Sequence, residues 1–171
     1  MKEDNYQKIR VLQNELYFKL NEPLSNYLDV LEPHEVMSNS YFETKYSLYK
    51  SNVSGFNSLF NKPFFKETIL LFYRELMCAV YYKFSGNKLD YFHNILLEYI
   101  PKDQVQNINT SDRNSIVYRF TDELLIEVLF TENKTTGICF MNSQYREDQL
   151  KSMQEKEYEL MLIKNNISIT N

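Results

Sequence analysis

Glycine and proline are scarce in this chain of 171 residues. There are three Gly and four Pro, where average usage of about 7% and 5% would give roughly 12 and 9. Few turns can rest on a residue that tolerates positive φ, and few elements are broken on purpose. The scarcity favours long helices joined by short polar connections over a many-stranded barrel. It also removes glycine-rich loops: with no GxxxxGK[ST], GxGxxG or GxSxG, P-loop nucleotide hydrolysis and Rossmann dinucleotide binding are set aside. Tryptophan is absent. Histidine occurs twice, at His34 and His93, without His-x-x-x-His or Cys-x-x-Cys spacing, so a zinc site lacks its local signature. The two cysteines read as reduced thiols. Cys78 is a small apolar core residue, and Cys139 lies opposite Ile138 and Phe140 on a strand, partly exposed. No catalytic residue, metal ligand or cofactor site is assigned.

Long apolar runs are missing too. The start, MKEDNYQKIRVLQNELYF, has no signal-peptide core, and the most apolar stretch, Thr68 to Tyr82, is cut by Arg74-Glu75. The expectation is a cytoplasmic protein with no membrane partner. A net charge of −4 and a pI near 5.3, with Lys and Arg scattered, argue against nucleic acid as the ligand. The Asn, Lys, Ile and Tyr bias suggests an AT-rich coding sequence, as in many bacterial, phage and mobile-element genes.

What the chain does have is aromatic residues, 14 Tyr and 12 Phe, and amphipathic periodicity. Residues 4–20 place Ile9, Leu12, Leu16 and Leu20 at helical spacing, and a second short helix would bury Leu24, Tyr27, Leu28 and Leu31. A less regular helix is expected over 34–49, and a loop with aromatic anchors over 51–62. The strongest helical pattern is 63–85, with Asn61 as cap, Pro63 in the first turn and Gly86 past the end. Apolar on most of its circumference, it reads as the central helix. Another helix is expected over 88–100, with Phe92 and Leu96 inward, and then a polar connection over 102–114.

Only 115–141 alternates. Ile116, Tyr118 and Phe120 share a side, as do Leu124, Ile126, Val128 and Phe130, then Ile138 and Phe140, which predicts a three-stranded antiparallel meander. Residues 143–164 predict a charged helix opened by Ser143. The fold class expected is therefore α+β: an N-terminal helical bundle of four to five helices on a small three-stranded sheet, with a charged C-terminal helix, in one domain over 1–171.

Two groups of residues are candidate partner-binding surfaces. Asp122, Glu123, Glu127 and Glu132 decorate the meander, with Glu127 mid-strand on the face away from Ile126 and Val128. Paired carboxylates can serve as general acid and base, as ligands of a divalent ion, or as a surface complementary to a basic protein. They also fit a solvated outer face with an acidic turn. Tyr41, Tyr46 and Tyr49 exceed what one short helix needs for its own core, and Tyr buries a large area while keeping a polar tip. The functional expectation is a small protein-binding protein without catalysis, in its sharpest form an immunity- or antitoxin-like inhibitor of a basic partner such as a nuclease toxin. The alternatives are a secretion chaperone or adaptor, forming a homodimer through the C-terminal helix or the sheet edge, and a phage or mobile-element host-interaction protein; a nucleic-acid binder or an enzyme of unrecognised type ranks behind them.

Overall fold

The segment expected to be the central helix is a β-hairpin. Thr68–Tyr73 forms one strand, Leu76–Ser85 the next, and Arg74 and Glu75 make the turn between them with φ of 49° and 65°. A two-residue turn of that kind needs left-handed backbone at both positions, which Gly or Asn adopts most readily. Here two charged residues supply it. The computed structural model describes residues 12, 16–33, 46–51, 58–63, 68–109, 113–121, 123–131, 133–152 and 154.

Ten strands lie in these residues: β1 Leu31–Pro33, β2 Ser47–Ser51, β3 Ser58–Leu59, β4 Lys62–Pro63, β5 Thr68–Tyr73, β6 Leu76–Ser85, β7 Val105–Asn109, β8 Arg113–Arg119, β9 Leu124–Thr131 and β10 Thr135–Asn142. Eight of them build one antiparallel sheet in the order β1-β2-β5-β6-β10-β9-β8-β7, while β3 and β4 form a separate small hairpin. The expected helical bundle on three strands is thereby overturned, together with the expectation that 1–101 is mainly helical. The meander is present as β8-β9-β10, but it is only part of a much larger sheet. Its neighbours were read differently from sequence. Residues 102–104 form a single 3-10 turn that runs into β7, where a polar connection was expected. The short helix near Leu24 is two 3-10 turns, Leu24–Asn26 and Leu28–Val30, leading into β1.

Among the described residues, two α-helices of more than one turn remain: α1, Leu89–Leu96, and α2, which runs from 143. They cover opposite faces. On the first face Phe92 and Leu96 of α1 pack with Leu70, Phe72, Val80, Tyr82, Phe84, Tyr118, Ile126, Val128, Ile138 and Phe140, joined by Leu12, Leu16, Phe18 and Tyr27. On the second, Tyr145 of α2 packs with Tyr46, Leu71, Cys78, Ala79, Val117, Leu125, Cys139 and Met141. A sheet buried on both sides explains why its strands carry near-continuous apolar runs.

β6 contains one residue more than its partner requires. Leu71 pairs with Ala79 and Phe72 with Met77, which leaves Cys78 as the bulged residue, its thiol donating to the Leu71 carbonyl at 3.1 Å. Cys78 and Ala79 consequently face the same side. Among the described residues, no helix is long and apolar enough to cross a membrane.

Candidate binding cleft

Glu127 occupies the centre of the second face, between Cys139 of β10 and Val117 of β8. A carboxylate in the run Leu-Leu-Ile-Glu-Val-Leu-Phe needs a partner once α2 covers it, because an unpaired buried charge is costly. Arg146 is that partner. β10 runs into α2 without a loop, and Asn142 caps the helix by accepting the Tyr145 N–H at 2.9 Å, which sets the helix phase. The Ser143 N–H donates to the Glu123 carbonyl at 3.0 Å and ties the helix start to the turn before β9. With that phase Arg146 points down. Its Nη1 lies 3.1 Å from Glu127 Oε2 and 2.6 Å from Gln149 Oε1, and the two charged side chains are 8% and 1% exposed. The other carboxylate oxygen, Glu127 Oε1, is buried and has no hydrogen-bond partner among the described residues.

The surroundings keep this pair dry. Burial, with the nearby Glu127 charge adding to it, pushes the Cys139 thiol up, which disfavours its thiolate form. Burial likewise lifts the Tyr81 hydroxyl to about 12, with Cys139 and Glu127 contributing. Tyr81 lies across Gly137 on the neighbouring strand: a Cβ there would overlap its ring, 2.6 Å from Cε2. Gly137 is glycine because an aromatic ring occupies the space above it.

Beside the pair the second face opens into a cleft of about 370 Å³. Asp103, Gln104, Val105 and Gln106, from the 3-10 turn and the start of β7, line it together with Val117 of β8 and Leu125 of β9. Arg119 of β8 and Arg146 and Leu150 of α2 complete the lining. Arg119 is exposed and makes no ion pair among the described residues.

The structure distributes the sequence-derived candidates widely. Glu127 is not on an outer surface at all. Glu123 is exposed, in the turn before β9, and its N–H donates to Thr121 Oγ1 at 3.1 Å. Asp122, Glu132 and Tyr41 lie outside the described residues. Tyr46 is buried against Tyr145 and Tyr73, at ring distances of 5.3 and 5.8 Å, and its hydroxyl donates to Asp148. Tyr49 is half-buried on the opposite face, edge-on to Phe72 at 5.5 Å. Tyr46 and Tyr49 therefore share no surface. Cys139 is buried, where partial exposure was expected. His93 is half-buried with Nδ1 2.8 Å from the Tyr118 hydroxyl, and His34 lies outside the described residues.

Sequence reasoning missed Arg119, Arg146 and Gln149. A signal for Arg146 existed: a carboxylate flanked by apolar residues on both sides calls for a cation elsewhere in the chain.

No protein-family model matches this chain, and no curated protein is similar to it. Among solved structures it is similar to a GTP binding regulator from Thermotoga maritima, at 10% identity and a TM-score of 0.42, over 74% of this chain and 82% of that one. So loose a superposition says nothing about what this chain binds.

Proposed function

We propose that this chain is a small cytoplasmic protein that works by contact with another protein and without catalysis. Its most specific form is an immunity- or antitoxin-like inhibitor. The observation that carries this reading is the cleft beside β7, the terminal strand of the sheet. An open groove next to a sheet edge can take both the main chain and the side chains of a partner. Two acidic groups of this region are engaged in holding the fold: Glu127 holds Arg146, and Asp148 takes the Tyr46 hydroxyl. The net charge of −4 adds long-range attraction for a basic partner.

Affinity isolation of the full chain from its native host, followed by cross-linking, tests the role. The expected result is a near-stoichiometric, salt-sensitive complex with cross-links at β7 and α2. Recovery of the protein alone from every such preparation would refute it. The second reading, a dimeric secretion chaperone or adaptor, is favoured by Leu150, which is 43% exposed on α2. Light scattering separates the two, because a monomeric mass excludes the dimer.

A further inference from the structure

The cleft combines features that together define one ligand chemistry. Arg146 is held at its edge by Glu127 and Gln149, and among the described residues all of its hydrogen bonds use Nη1. Three of the five guanidinium N–H donors sit on nitrogens other than Nη1, and Nη2 with Nε forms the planar fork that fits a carboxylate. Arg119, free of ion pairs among the described residues, supplies a second guanidinium on the same cleft. The apolar side chains of Val117, Leu125 and Leu150 line the same cleft.

The position along the sheet narrows the occupant further. All strand pairs in the sheet are antiparallel. A segment added to the outer side of β7, which ends the strand order among the described residues, runs in the same sense from the Asn109 end toward Val105 and finishes beside Gln104. The cleft with its arginines lies at that end. We infer that the cleft is a binding site for the free C-terminal carboxylate of an extended partner segment, with Arg119 and Arg146 on the carboxylate and an apolar last side chain against Val117, Leu125 and Leu150. The inference rests on the contact role proposed above and names the part of the partner that is held. Glu127 is a positioning residue here: it aims Arg146 and does not touch the ligand.

The test uses three small probes on the full chain, followed by NMR of methyl and arginine side-chain resonances: N-acetyl-leucine, N-acetyl-leucinamide and inorganic phosphate. N-acetyl-leucine is expected to shift Val117, Leu125, Leu150 and Arg119, with a Kd on the order of millimolar for so small a ligand. The amide is expected to leave them unmoved. Arg119→Gln, a change at an exposed position, should weaken the acid about tenfold, as loss of a charge-assisted contact does. Equal binding of acid and amide, a response to phosphate alone, or no shift with N-acetyl-leucine would each overturn the inference. A host complex whose cross-links avoid the cleft would also overturn it while leaving the contact role standing. A cleft that takes N-acetyl-leucine in a protein that always purifies alone would support the site and remove the role.

Discussion

Replacing Arg146 with Met should be among the most damaging single changes on the second face, and more damaging than replacing its partner. At 3.1 Å in an effective dielectric of about 20, the attraction between the two charges is worth roughly 5 kcal/mol. Most of that offsets the desolvation of both groups, so the pair as a whole is close to neutral for stability. The single changes are not neutral. Arg146→Met leaves the Glu127 carboxyl, 1% exposed in the parent, with both oxygens unpartnered among the described residues, which costs about 3–5 kcal/mol. Glu127→Leu leaves a long cation at the rim of a cleft, where it can swing its head into water, and should cost only about 1–2 kcal/mol. The double variant should return to within about 1 kcal/mol of the parent, or exceed it. Urea unfolding of the four proteins with a common slope closes the cycle, and the melting temperature of Arg146→Met should fall by about 10 °C. A cost below about 1 kcal/mol for Arg146→Met, or a larger cost for Glu127→Leu, would show that the pair is not a desolvated contact with one captive and one mobile member.

Three further outcomes are expected. Gly137→Ala should destabilise by about 1–3 kcal/mol because the Tyr81 ring must move, and the cost should vanish in a Tyr81→Ser background, as read by chemical denaturation. Burial raises the Tyr81 hydroxyl to about 12 in the folded state, whereas the unfolded chain titrates near 10. Between those values the unfolded state holds fewer protons, so stability is intact below pH 10 and declines as pH climbs toward 12; Tyr81→Phe should make that decline shallower in a stability–pH series. Asn142→Ala removes the acceptor for the Tyr145 N–H and should cost about 1 kcal/mol, with amide exchange accelerating first at the start of α2.

The meander was legible because β8, β9 and β10 alternate without interruption, and the side on which Tyr118, Ile126, Val128 and Phe140 meet was read correctly from that alternation. The hairpin at 68–85 was not legible, and the bulge explains why. Met77, Val80 and Phe84 fall on one face at intervals of three and four, the spacing of a helix, because Cys78 inserts an extra residue between them. Burial on both faces completed the disguise, since an apolar run without alternation fits a buried strand and a buried helix alike. The richness of 69–84 in Ile, Phe, Tyr and Val was the countervailing signal. Glu127 was assigned to the correct side of its strand, but nothing local reveals that α2 folds back over it. That fact belongs to a contact across 19 positions, between Glu127 and Arg146.

The surplus residue in β6 has an evolutionary corollary. Deleting Cys78 would join Met77 directly to Ala79 and leave every other side chain of the strand on the side it already occupies, so the sheet would not turn inside out. The lineage can gain or lose this position without rewriting its neighbours, and what changes is the curl of the sheet at that point. A hairpin built this way tolerates a one-codon length change that a regular strand would not.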